Sequence, residues 1–319
     1  MGEILNLRRG ISFLGAGLGA GAPLAARASS STASFDPLAL LLAETAVGSE
    51  RAFARLYELT GGRMLAIARG IVGRADVAED VVQDSFLRIW RWAHRYEQEK
   101  GAAYAWLVRI VRNRALSARA QLHRRDGASE TLDAETLVLD QPDPADNAMR
   151  SEEARRVNAC LANLPADQRR SITLVYFEGL THSELSERLG VQLGTAKSWV
   201  RRGLAQMNRC LTGGADAGWR DIVAAEYAAG GLRGAVKRGF ERRRARDARY
   251  CRAVDLWEDR FAALTEFLPD SGAAPAALWS RIEQQIARER VTVARPLFWQ
   301  LTTGALALVI VLLLVVLAR

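Results

Sequence analysis

The stretch LTHSELSERLGVQLGTAKSWVRRGLAQM, Leu180 to Met207, leaves its backbone fewer choices than any other part of the chain. Thr181 followed three residues later by Glu184 is a capping box, in which each side chain satisfies a free amide at the start of a helix. Gly190 supplies the left-handed conformation that stops that helix. Val191 to Gly194 is the turn, and from Thr195 a second helix places Ala196, Val200, Leu204 and Met207 on one face. Thr195, Lys197, Ser198, Arg201 and Arg202 are left exposed. A pair of short helices divided in this way, one face packed and the other cationic, suits entry of the second helix into the major groove of DNA, where Lys and Arg meet phosphates and base edges.

The rest of the chain repeats the helical period. Apolar residues recur three and four apart, without alternating runs bounded by turn residues, so an all-α fold is expected. At 319 residues there is room for two or three compact units. The acidic, proline-broken stretch from Arg124 to Met149 reads as a linker, LTGGADAG (Leu211 to Gly218) as a second break, and LPDSGAAPAALW (Leu268 to Trp279) as a last hinge. A net charge of +8 and a pI near 9.9 point to nucleic acid or an anionic membrane surface. Cys160, Cys210 and Cys251 lie far apart and suggest neither a disulfide framework nor a zinc site, so reduced thiols are expected. His94, His123 and His182 form no catalytic constellation with a Ser, Cys or carboxylate. No enzyme, metal site or cofactor is expected.

Leu161 to Leu211, with LP...QR, YFEGLT, LGV, LGTAKSW and RRGL in order, resembles the C-terminal DNA-binding domain of the extracytoplasmic-function sigma factors, which direct bacterial RNA polymerase to promoters. The resemblance implies binding to the minus-thirty-five element through Thr195, Lys197, Ser198, Arg201 and Arg202, although Trp199 stands where the family often has arginine. Ser49 to Ala120 resembles the N-terminal domain of the same family. Within it, ADVAEDVVQDSFLRIWRW is amphipathic, with Val77, Val81, Phe86, Ile89 and Trp90 facing inwards and Glu79, Asp80, Gln83 and Asp84 outwards. By resemblance that acidic face grips core RNA polymerase. The next helix carries Trp106, Arg109, Arg112, Asn113, Arg114 and Arg119, a basic and aromatic mixture suited to melted promoter DNA. Trp106 is equally suited to a core, and Ser117 replaces the family's usual aspartate.

From Asp221 the chain resembles another family, the anti-sigma-K type of anti-sigma factors, in AAEY, FERR, WEDRFAAL and ALWSRIE. Pro296 to Ala318 has no ionisable side chain and is long enough, at ~1.5 Å per residue, to cross a bilayer of roughly 30 Å. Arg281, Arg288, Arg290 and Arg295 precede it, which by the positive-inside rule keeps the N-terminal domains in the cytoplasm. The organisation expected is therefore a disordered extension (1–35), sigma region 2 (36–124), a linker (125–149), sigma region 4 with its helix-turn-helix (150–212), an anti-sigma-like domain (213–290) and a transmembrane helix (296–318). The whole reads as a single-pass protein of the cell membrane, a sigma factor held inactive by an intramolecular contact with its own inhibitor. The partners implied are core RNA polymerase, promoter DNA and the membrane. The alternative is a membrane-anchored helix-turn-helix regulator that does not dock on polymerase.

Overall fold

A computed structural model describes residues 36–126, 151–214, 218–268 and 274–289. The extension 1–35, all of the linker 125–149 from residue 127 onward and the segment 296–318 lie outside the described residues. Every regular element among the described residues is helical. The first unit comprises α1 (Pro37–Ala46), α2 (Glu50–Val72), α3 (Ala75–Trp92) and α4 (Ala103–Asp126). Asp36 and Ser49 cap α1 and α2 by accepting from amides in the first turn, and Gly73 at φ 72° ends α2 in the left-handed conformation. Phe53, Leu56, Met64, Phe86, Ile89 and Leu107 close the core between these helices.

The second unit comprises α5 (Glu152–Ala162), α6 (Ala166–Phe177), α7 (His182–Leu189) and α8 (Leu193–Leu211). In α8, Ala196, Val200, Leu204 and Met207 are fully buried. Gly203 lets α8 approach α6, since a Cβ there would stand 2.7 Å from Cδ1 of Ile172. Helix packing corrects the expectation of reduced thiols. Cys160 on α5 and Cys210 on α8, 50 residues apart in sequence, come to a Cα separation of 5.9 Å and form a disulfide, leaving Cys251 free. Spacing along a chain does not reveal which helix ends meet.

The third unit comprises α9 (Trp219–Ala228), α10 (Gly234–Arg244), α11 (Ala248–Leu264) and a last helix, α12, over residues 276–289. Its α11 is central: it packs on α9, on α4 of the first unit and on α5 of the second. Val254, Trp257 and Phe261 are at most 1% exposed, and Phe261 stacks on Tyr176 of α6 with centroids 4.8 Å apart. Burying each of these large side chains contributes roughly 1.5–3 kcal/mol. One continuous apolar core thus runs through all three units. Polar contacts follow the same path: the Tyr104 and Thr265 hydroxyls lie 2.7 Å apart, the Ser151 hydroxyl donates to Glu266 at 2.8 Å, and Arg260 donates to the Asn208 side chain at 3.3 Å.

The expected placement as a single-pass membrane protein is corrected. No helix among the described residues is long and apolar enough to cross a membrane.

Candidate functional site

The capping box forms as expected. Thr181 Oγ1 accepts from the Glu184 amide at 3.2 Å, and a Glu184 carboxylate oxygen accepts from the Thr181 amide at 2.6 Å. Burial alone would raise the Glu184 carboxyl, but the Thr181 hydrogen bonds and the nearby Arg119 outweigh it and hold the group below the usual carboxylate range. The box orients α7 and the turn, and Gly190 at φ 65° delivers the chain into α8. Thr195, Lys197 and Ser198 are then half-buried, and Arg201 and Arg202 exposed. Arg201 is not left to solvent alone. Its Nε donates at 3.2 Å to Glu226 of α9, a carboxylate only 1% exposed that also lies 3.4 Å from His182.

On α4, the residues expected to form one DNA-facing row separate into different environments. Asn113 is exposed, while Trp106 is half-buried against Tyr96, ring centroids 5.9 Å apart. Arg109 pairs with Glu258 at 2.9 Å and Asp255 at 3.4 Å, both on α11. Burial pushes the Glu258 carboxyl up, against the pull of Arg109. Arg112 is 6% exposed, with its guanidinium 4.3 Å from the Tyr176 ring centroid. It donates to the carbonyls of Tyr176, Ala228 and Ala229, which sit at the C-terminal ends of α6 and α9 where a helix has acceptors to spare. Arg114 pairs with Asp84 of α3 at 2.6 Å, so one expected DNA contact is tied to one expected polymerase contact. Arg119, 7% exposed, reaches Glu184 at 3.2 Å. Arg112 and Arg119 are thus buried: backbone carbonyls at the ends of α6 and α9 satisfy the Arg112 guanidinium, and the Glu184 carboxylate of α7 holds that of Arg119.

The acidic face of α3 meets α12. Val81, Phe86 and Ile89 are buried as expected, with Val77 and Trp90 partly so. Arg281 reaches Glu79 at 3.2 Å and Asp80 at 3.5 Å, Gln83 donates to Gln285 at 3.2 Å, and Arg91 donates to Glu289 at 3.0 Å. Below these contacts Trp279 lies 5.0 Å from Tyr57 and 5.8 Å from Phe53, ring to ring. Burial pushes the Tyr57 hydroxyl up to about 12, so it stays protonated. The residues that engage the expected sites, namely Glu226, Asp255, Glu258, Trp279, Arg281 and Gln285, are not marked out as such by the sequence pattern. The one available signal is the spacing of Asp255 and Glu258, three apart on one helix face.

A family model described as Sigma-70 region 2 matches residues 56–125, and one described as Sigma-70, region 4 matches residues 154–207. An ECF RNA polymerase sigma factor SigK from Mycobacterium ulcerans (strain Agy99) is 35% identical over 182 residues, spanning 55% of this chain and 94% of that protein. The chain belongs to the ECF RNA polymerase sigma factor family. As a sigma factor it is a transcription initiation factor and not an enzyme. SigK of Mycolicibacterium vanbaalenii is 32% identical over 175 residues, covering 54% of this sigma factor and 87% of its own length. Among solved structures, that of CnrH in complex with the cytosolic domain of CnrY is 24% identical with a TM-score of 0.27, covering 56% of this chain and 100% of that one. Region 2 ends within α4 and region 4 begins within α5, so Arg109, Arg112 and Arg119 belong to the first matched region and the capped pair α7 and α8 to the second.

Proposed function

We propose that this sigma factor docks on core RNA polymerase through Glu79, Asp80, Gln83 and Asp84, contacts promoter DNA through α4 and α8, and is held silent in cis by its third unit, acting as a fused anti-sigma domain. The observation that carries the reading is complementary charge on all three surfaces. Acidic Asp255, Glu258 and Glu226 meet Arg109 and Arg201, whereas basic Arg281 meets Glu79 and Asp80. A polymerase cannot grip α3 while α12 lies on it, and DNA phosphates cannot reach Arg109 while α11 carboxylates occupy it.

Covalent linkage strengthens the effect. A tether giving an effective concentration of order 1 mM turns an intrinsic affinity of ~1 μM into about one open molecule in a thousand, or roughly 4 kcal/mol of closure. The test is promoter-dependent transcription with core polymerase, on DNA selected by the protein, comparing the full chain with one ending at Gly214. Strong transcription from the short chain and little from the full one is expected. Equal activity would remove the inhibitory role, and silence from both would remove the assigned roles of α3, α4 and α8.

A further inference from the structure

The outward side of the third unit carries a concentration of charge that the occluding contacts do not use. Nine of the chain's 44 basic residues but only two of its 36 acidic ones lie between Arg233 and Arg252, so these 20 residues hold seven of the eight net positive charges. Arginines in the last turn of α10 answer the helix C-terminus, which amounts to about half a charge. That leaves most of the cluster unexplained. Arg242, Arg243 and Arg246 are exposed and have no carboxylate partner among the described residues.

These three arginines rim a hollow of about 410 Å³ whose wall includes Trp219, Phe240 and Tyr250. Trp219, the first residue of α9, is 61% exposed. A tryptophan held open to water on a rigid helix costs solvation, and its indole presents a stacking surface. The hollow also adjoins α8, because the Arg201 guanidinium lies 5.9 Å from the Trp219 ring. Basic charge is thus continuous from the recognition helix, across an open indole, onto α10.

We infer that the face formed by Trp219, Arg242, Arg243 and Arg246 binds single-stranded nucleic acid, with phosphates on the arginines and a base stacked on the indole. Arginine forks fit phosphate oxygens and aromatic rings accept any base, so the surface reads charge and unpaired strand without reading sequence. It lies on the exposed side of the third unit, so it is available while α11 and α12 cover α4 and α3. This face adjoins α8 through Arg201 and Trp219 and shares no residue with the α3 and α4 surfaces.

The experiment is fluorescence anisotropy of a labelled 20-nucleotide oligo(dT) and of a 20-base-pair duplex with the full chain, across a salt series. Oligo(dT) should bind, and the triple variant R242Q/R243Q/R246Q should flatten the log-log salt slope by about 2, at ~0.7 for each phosphate no longer neutralised. Trp219→Ala should weaken oligo(dT) binding about tenfold while leaving the duplex within about twofold. Substitutions at these exposed positions leave the core intact, and an unchanged helical melt would verify it. An unaltered slope in the triple variant would overturn the inference by assigning the binding to α4 and α8. Binding of anionic phospholipid vesicles without binding of oligo(dT) would overturn it in favour of a lipid surface.

Discussion

At α4 the grip of the third unit is dry, and at α3 it is wet. Glu258, which holds Arg109, has a side chain 15% exposed and sits beside the buried Trp257. Arg281, Glu79 and Asp80 have side-chain exposures of 43%, 33% and 73%. Exposed pairs of this kind are worth ~0–1 kcal/mol, and salt screens them. The α12 contact is therefore carried by its apolar seam, Leu278, Trp279, Ile282 and Ile286, with the charges setting register. In the α11 contact the polar groups matter more, because Glu258 is mostly buried and breaking the pair leaves Arg109, with a side chain 31% exposed, without that partner.

The difference can be broken open by substitution, beginning at the centre. Trp257→Ala should cost about 3–5 kcal/mol, lowering the thermal midpoint and raising transcription by the full chain; unchanged transcription and unchanged stability in the variant would show that α11 is not the keystone. Trp279→Ala, at a half-buried position, should cost about 2–3 kcal/mol and free α3 alone, so core polymerase would be captured while α4 stays covered. Simultaneous release of both surfaces would mean that the two grips are one. Glu258→Ala should cost about 1–3 kcal/mol, a loss that ~0.5 M salt leaves largely intact. Arg281→Glu should cost under ~1 kcal/mol and vanish in the same salt.

Proton linkage sharpens the contrast further. Burial pushes the Asp259 carboxyl up to about 7, against the pull of Arg109 and helped by Asp255 and Glu258. The closed form thus holds this proton more tightly than an open chain, whose aspartates titrate near 4. Its stabilising contribution is complete below about pH 4 and is lost as the pH rises through 7. Closure followed by transcription output should loosen between about pH 4 and 7 and change little above that, and Asp259→Asn should flatten that dependence.

Local rules make part of this architecture legible in the sequence itself. The cap at Thr181, the stop at Gly190 and the four apolar positions of α8 depend only on neighbours within a turn or two, and each forms as expected. The amphipathic α3 is legible for the same reason. Arg112 is not: its helix face can be read, but the helix ends that take its guanidinium lie 64 to 117 residues further along the chain. The Cys160 and Cys210 pairing is hidden likewise, because it depends on α5 and α8 lying side by side. Periodicity says which side of a helix is covered, and leaves open what covers it.

The position of α11 has a consequence in time. A ribosome completes α8 at Leu211 and must add about 50 residues before α11 ends at Leu264; at ~5–20 residues per second this takes roughly 3–10 s. During that interval the nascent chain already carries both sigma regions and not yet the helix that wedges between them. If the third unit covers these surfaces as proposed, each newly made molecule passes through an interval before that cover exists, and the rate of translation sets its length.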